Sequence, residues 1–175
     1  MKRSLVFLAV IAVAACGKVS ETATEKIIES QVSKDGTQAK VDLSSGGMKI
    51  TTTDASGKTS QMEMGAAKIS EAEIGLPFYP GTKPVEGGMT KIASSEGSML
   101  SVTLHSDDAP DKVAAFYRDK LKAGAEGKQL TDMSTGDAHM LTLGDDKTKQ
   151  LTQVTVSKAD KGSDIQIVAH KGVPK

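Results

Sequence analysis

The 175-residue chain has a single cysteine, Cys16, and few aromatic residues: no tryptophan, two tyrosines and three phenylalanines. One cysteine excludes an intramolecular disulfide bond, so the fold depends on its hydrophobic core alone. The shortage of aromatic rings disfavours carbohydrate sites and peptide grooves, which usually present aromatic platforms. The 22 basic and 22 acidic residues give no positive excess, so we expect no nucleic-acid partner.

The longest apolar run lies at the N-terminus, at residues 5–15, and follows a short basic segment. It is too short for a membrane-spanning helix, which needs roughly 20 apolar residues, and is typical of a signal peptide. The run ends in Val13-Ala14-Ala15-Cys16, which resembles the lipobox of bacterial lipoproteins. That resemblance implies cleavage between Ala15 and Cys16 and lipid attached to Cys16. The alternative is an ordinary secretory signal with a chance cysteine at the cleavage point.

The lipobox resemblance also implies a location. Two or more acyl chains hold a protein stably on a bilayer, so the lipid bilayer becomes a partner through acylated Cys16. Lipoproteins retained in the inner membrane of Gram-negative bacteria tend to have Asp after the cysteine, whereas this chain has Gly17. The resemblance therefore implies a lipid-anchored protein of the cell envelope, on the outer membrane and facing the periplasm.

The N-terminal half has a helix pattern followed by three strand patterns. Residues 1–15 form the predicted signal peptide and 16–24 the lipidated tether. A short helix is predicted over 25–33, where a capping-box pattern precedes loosely periodic apolar residues. Alternating segments at 39–43, 48–53 and 59–64 are separated by turns rich in Gly, Ser and Asp. They predict a small antiparallel meander within 25–69.

The C-terminal part, 70–175, has one strong helix pattern among strand patterns. Pro110 and its acidic neighbours start a helix predicted over 109–123. Its apolar residues form one stripe: Val113, Phe116, Tyr117 and Leu121. Strands are predicted at 85–94, 98–105, 128–134, 138–144, 150–158 and 163–170. The predicted class is α+β: an antiparallel β-sheet packed against one long helix, preceded by a short helix and a small β-meander, all in one folding unit.

Two segments occur in this order: residues 74–81 (IGLPFYPG), which contain a GLPFYPG-type motif, and residues 106–117 (SDDAPDKVAAFY). Together they resemble a group of uncharacterised bacterial lipoproteins and secreted domains. The resemblance implies a fold family and no activity. Phe78 and Tyr79, in a loop set by two prolines, are the candidate contact residues. The alternative for both is packing beneath the turn.

The chain carries no nucleophile, zinc-protease or nucleotide-binding motif, so we assign no catalytic residue and expect no cofactor. Met62, Met64, His139 and Met140 are candidate soft-metal ligands, because thioether and imidazole groups bind copper. The alternative is that these methionines fill an irregular core.

The leading hypothesis is a non-enzymatic, membrane-anchored periplasmic module that binds an unknown envelope protein or a small ligand. The alternative is a soft-metal binding protein of the copper type that uses Met and His. An uncharacterised enzyme is the third hypothesis.

Overall fold

The computed structural model describes residues 21–33, 36–43 and 46–172. Cys16, Ala15 and the predicted signal peptide lie outside the described residues. The three helices are α1 (Glu21–Val32), α2 (Glu71–Ile74) and α3 (Pro110–Ala123). The nine strands are β1 (Gln38–Asp42), β2 (Met48–Thr53), β3 (Thr59–Gly65), β4 (Lys83–Ser94), β5 (Gly97–Ser106), β6 (Gln129–Thr135), β7 (Ala138–Asp145), β8 (Gln150–Lys158) and β9 (Ser163–Gly172).

All nine strands form one antiparallel sheet in the order β1-β2-β3-β4-β5-β9-β8-β7-β6. The chain builds β1 to β5 as consecutive antiparallel neighbours, with α2 in the connection between β3 and β4. It then leaves the sheet through α3 and returns as the four strands β6 to β9. The last of these, β9, pairs with β5 along its whole length, from Gly97 opposite Gly172 to Ser106 opposite Ser163. This long pairing joins the two halves of the chain into one sheet.

Both ends of helix α3 are set by residues that favour a helix start or a helix end. Pro110 occupies its first turn beside Asp111, which suits the positive end of a helix, and Gly124 follows its last residue. Its buried residues form one stripe: Val113, Ala114, Tyr117 and Leu121. This stripe packs on β6 to β9 and, with the strand residues beneath it, forms the main hydrophobic core.

The prediction of a sheet packed against one long helix is wrong, because the structure is mainly a nine-stranded antiparallel sheet with three short helices. The 14 residues of α3 make a helix about 21 Å long, enough for about four strands, whereas nine strands span roughly 38 Å. Accordingly α3 contacts β6 to β9, while α1 contacts β1 and α2 contacts β9. Helix α1 also includes residues 21–24, which the sequence assigns to the tether.

The main apolar residues of the sheet lie on one face in strands β5 to β9 and on the opposite face in strands β1 to β4. Residues directly opposite each other in antiparallel strands share a face. We call the side under α3 the helix face; it carries the apolar row Val102, Ile167, Val154 and Leu141. We call the other side the open face; it carries the apolar row Val41, Ile50, Met62 and Ile92. The change occurs within β4, where Met89 pairs with Val102 on the helix face and Ile92 lies on the open face.

No helix in the described part of the chain combines the length and the apolar character needed to cross a membrane.

Candidate functional site

A cavity of about 320 Å³ lies between the ends of α2 and α3 and the helix face of the sheet. Pockets for small ligands typically measure about 300–1,000 Å³. Its apolar lining residues are Ile74, Leu76, Leu121, Leu143 and Ala169. Its polar and charged lining residues are Lys120, Lys128, Gln150, Thr152, His170 and Lys171. The cavity therefore combines an apolar floor with a rim that carries amines and other hydrogen-bonding groups.

Helix α2 has only one turn, and a capping box stabilises it. The Ser70 side chain accepts from the Glu73 N–H at 3.3 Å, and the Glu73 carboxylate accepts from the Ser70 N–H at 3.0 Å. Gly75 ends the helix at φ +78°, a conformation that glycine adopts without strain. This local geometry places Ile74 and Leu76, which are 2% and 6% exposed, at one wall of the cavity.

Two lysines fasten α2 to the sheet. Lys91 of β4 donates to Glu73 Oε1 at 2.7 Å, and Lys171 of β9 donates to the Glu73 carbonyl oxygen at 2.9 Å. The Lys91 ammonium, followed by the bonds from Ser70, lowers the pKa of Glu73 to about 2 from its ordinary value of 4.5. Glu73 is therefore ionised over the physiological pH range, and it holds the α2 wall against two strands.

The charge of the cavity is positive. Lys120, Lys128 and Lys171 line it, and no acidic residue of the described chain does. The C-terminal end of α3 contributes the opposite sign, but only about half of an elementary charge. The Lys120 ammonium also lies 5.3 Å from the centre of the Phe116 ring, one helical turn earlier on α3, in a cation–π contact. The rim therefore favours an anionic group.

The proline-flanked loop is fixed to α3 by two tyrosines. Tyr117 is fully buried, and its hydroxyl accepts from the Tyr79 N–H at 2.9 Å. The Tyr79 hydroxyl donates to Asp108 Oδ2 at 2.7 Å, and that bond raises the pKa of Tyr79. Desolvation by burial raises the pKa of the Tyr117 hydroxyl as well, so both phenols stay neutral.

The candidate contact residues lie in this loop. The Tyr79 side chain is only 7% exposed and stacks edge-on against Phe116, with ring centres 5.2 Å apart. Phe78 is half-buried and packs against the main core. Both positions fit the packing alternative that the sequence left open, and a contact function of the loop stays a prediction.

The four candidate metal ligands are not brought together. Met62 and Met64 lie on β3, five strands away from His139 and Met140 on β7, which corresponds to roughly 24 Å. His139 and Met140 are consecutive strand residues and point to opposite faces. Among the described residues there is no group of three or more His, Cys, Asp or Glu side chains placed to hold a metal ion.

His139 instead links α3 to the β6–β7 hairpin. Its Nδ1 lies 2.9 Å from Ser134 Oγ, and its Nε2 lies 2.9 Å from Asp111 Oδ1. These residue types occur in nucleophilic triads, but the Asp111 side chain is 94% exposed and Ser134 is exposed. A nucleophile needs a site that excludes water, whereas Ser134 and Asp111 are exposed to solvent on either side of the buried His139. Its geometry fits a structural link better than a reaction.

A larger hollow of about 1,220 Å³ lies at the opposite ends of strands β5 to β9 from the cavity, and it is a broad, polar depression. Two polar pairs cross its lining: His105 with Asp164 at 2.8 Å, and Lys158 with Asp137 at 3.3 Å. Because its surface is wide open and polar, this hollow offers less for a small ligand than the cavity under α2 and α3.

A comparison with protein-family models matched residues 85–167, which include α3 and the strands from β4 into β9, to a family described as START domain-like. Residues 85–167 resemble a START domain. This START-like segment supplies the α3 wall and most of the sheet floor of the cavity, including Leu121, Leu143 and Thr152. The comparisons with curated proteins and with solved structures found no match.

The resemblance supports the leading hypothesis in its coarse form, a ligand-binding module of unknown function. The cavity under α2 and α3 was not foreseen from the sequence. The capping-box pattern at Ser70 and Glu73 indicated the α2 turn, but no sequence spacing relates Lys120, Lys128 and Lys171. Lys128 lies in the turn that follows α3, whereas only the pairing of β9 with its neighbouring strands brings Lys171 to the cavity.

Proposed function

We propose that this protein is a membrane-anchored, non-enzymatic binding module whose ligand is a small anionic amphiphile held in the cavity between α2, α3 and the sheet. The observation that supports the proposal is the lining itself: five apolar side chains form the floor, and three lysines with no acidic partner in the lining stand around it. An aliphatic tail would contact the floor, and an acidic head group would contact the lysine amines.

The size of the cavity sets the size of the ligand. About 320 Å³ is the lower limit for a drug-sized ligand, which favours a single short chain over a two-chain lipid. Each methylene group that becomes buried contributes about 0.8 kcal/mol, or roughly fourfold in affinity. Gln150 and Thr152 provide neutral hydrogen-bonding groups beside the lysines.

The anchor in this proposal rests on the lipobox resemblance of residues 13–16 and on acylation of Cys16. A lipid-anchored module of this kind would act on the periplasmic side of the outer membrane. There it would capture amphiphiles that leave a bilayer or an envelope protein.

Calorimetric titration of the mature, unacylated chain from residue 16 tests the binding site. We expect octanoate to bind, butyrate to bind at least tenfold more weakly because fewer methylenes are buried, and octylammonium to bind more weakly still because the rim repels it. Equal affinity for octanoate and octylammonium would refute the role of the lysine rim.

Charge-removing variants locate the site. Lys120→Gln combined with Lys128→Gln should weaken octanoate binding about tenfold, since each lysine contributes on the order of 0.5–1 kcal/mol at an exposed rim. Lys122→Gln is the matched control, because Lys122 is an exposed lysine of the same last turn of α3 and does not line the cavity. If Lys122→Gln weakened binding as much as the double variant, the ligand would not occupy this cavity.

A further inference from the structure

The open face of the first strands is apolar and uncharged. In β1, β2 and β3 every residue on this face lacks a charge: Ala39, Val41, Met48, Ile50, Thr52, Ser60, Met62 and Met64. Charged residues of the same strands, such as Lys49 and Glu63, lie on the helix face. We call Met48, Ile50, Met62, Met64 and Ile92 the open-face patch.

The open-face patch is accessible. Met64 is 38% exposed, and an apolar groove of about 240 Å³ runs between Ile50, Met62 and Ile92 to Val32 of α1. Within the described ranges, α1 is the one helix beside this face; it buries none of its own residues and leaves Ile27 59% exposed. A contiguous apolar surface of this kind marks an interaction site.

We propose that the open-face patch, with Ile27 and Val32 of α1, rests on the lipid bilayer to which the chain is anchored. This inference rests on the acylated Cys16 of the proposed function. Cys16 lies five residues before Glu21, where α1 begins, and five residues span at most about 18 Å. The start of α1 therefore stays within about 18 Å of the head groups at all times.

Three features favour a bilayer over a protein as the occupant. A tethered surface meets its own membrane at a high effective concentration, whereas another protein must arrive by diffusion. No charged side chain of β1 to β3 has to be desolvated on this face. Flexible methionine side chains adapt to an irregular apolar partner such as acyl chains.

Methionine oxidation on vesicles tests the proposal. The acylated protein, purified from its own membranes, is reconstituted in vesicles of phosphatidylethanolamine and phosphatidylglycerol at 3:1. Hydrogen peroxide is added, and peptide mass spectrometry follows the oxidation rate of each methionine. The unacylated mature chain, mixed with the same vesicles, is the comparison sample.

Met133 is the internal standard. It is 48% exposed on β6, six strands from β3. A twist of about 20° per strand rotates β6 by roughly 120° relative to β3, so a bilayer in contact with β3 would not contact β6. We expect the oxidation of Met62 and Met64, relative to Met133, to fall at least fivefold in the acylated sample and to stay unchanged in the unacylated one.

The other outcomes separate this proposal from the one on which it rests. If the acylated protein shows the same oxidation ratios as the unacylated chain, the bilayer contact is wrong and the anchor stands. If the purified protein carries no acyl mass, the anchor fails and the bilayer contact fails with it. If protection appears without acylation and rises with protein concentration, a second copy occupies the face and the proposal is overturned.

Substitution gives an independent check. Met64→Glu places a charge in the open-face patch at an exposed position, and it should cost Met62 most of its protection on vesicles. Met133→Glu is the matched control at an exposed methionine outside the patch. Equal protection of Met62 in both variants would contradict the proposal.

Discussion

Glu73 links the α2 wall of the cavity to two strands of the sheet. Its carboxylate binds Lys91 of β4, and its backbone carbonyl binds Lys171 of β9. The side chain is partly exposed and yet its pKa is about 2, because Lys91 and the N–H of Ser70 both stabilise the charged form. Because α2 is only four residues long, this carboxylate adds to the core packing of Ile74 and Leu76 in holding the turn at the cavity.

The low pKa of Glu73 predicts an effect of acid on stability. Between about 4.5 and 2 the unfolded chain binds a proton at Glu73 and the folded chain does not, so the free energy of unfolding falls as the pH is lowered through this window. We expect Glu73→Gln to make the plot of unfolding free energy against pH shallower there, as measured by urea denaturation at several pH values. Lys91→Gln should give an intermediate slope, because the bond from Ser70 remains. If the slope of unfolding free energy against pH in Glu73→Gln equalled that of the wild type, the fold would not stabilise the ionised form of Glu73.

The Tyr117 hydroxyl gives a second prediction for a single residue. The Tyr117 hydroxyl accepts a hydrogen bond from the buried N–H of Tyr79, and removal of the hydroxyl leaves that N–H without an acceptor. Tyr117→Phe should therefore lower the free energy of unfolding by about 1–3 kcal/mol in urea denaturation. Tyr79→Phe leaves the partly exposed Asp108 carboxylate free to bond to water and to Lys112, so it should cost less than Tyr117→Phe. Equal losses in the two variants would contradict the importance of the buried bond.

Helix α1 acts as a cover for the edge of the sheet. The outward N–H groups of Ala39, Val41 and Leu43 on β1 donate to Ser33 Oγ at 3.0 Å, Glu29 Oε1 at 2.8 Å and Glu25 Oε1 at 2.9 Å. These acceptors are four residues apart, about 6 Å along a helix, which nearly matches the roughly 6.8 Å between alternate N–H groups of a strand. The side chains of α1 thus replace the carbonyl groups of a tenth strand and block edge-to-edge association.

This arrangement predicts how the edge responds to substitution. Glu29→Ala removes a charged acceptor that contributes about 1.5–3 kcal/mol, so hydrogen exchange at the Val41 amide should accelerate at least tenfold. Glu29→Gln keeps a neutral carbonyl oxygen and should show a smaller increase. Unchanged exchange in Glu29→Ala would mean that α1 does not protect β1.

Local sequence patterns predicted the positions of helices and strands, but they did not predict how these elements are arranged in the sheet. The predicted strands at 138–144 and 150–158 agree with β7 and β8 to within one residue, and α3 lies inside its predicted range, because alternation and helix-end residues are local signals. The pairing of β5 with β9 joins residues far apart in sequence and has no local signal. Alternation also does not tell which face of a sheet is covered, which is why the apolar open face and the cavity under α2 both escaped prediction.

At the scale of the whole molecule our two proposals assign different tasks to the two ends of the sheet. The end formed by β5 to β9 carries the core, the α3 wall and the cavity with its lysine rim. The end formed by β1 to β4 carries the open-face patch and lies next in sequence to the proposed anchor. The proposed ligand site thus lies away from the proposed membrane contact, and one continuous sheet connects the two.

The most direct test of the ligand-binding claim is native mass spectrometry of the protein released from its own membranes, beside the double variant Lys120→Gln and Lys128→Gln. We expect the wild-type protein to carry its acyl mass together with a second, non-covalent anionic amphiphile, and the double variant to carry the acyl mass alone. A wild-type protein with acyl mass and no further bound species, or the same bound species in both proteins, would contradict the claim that this cavity is the binding site.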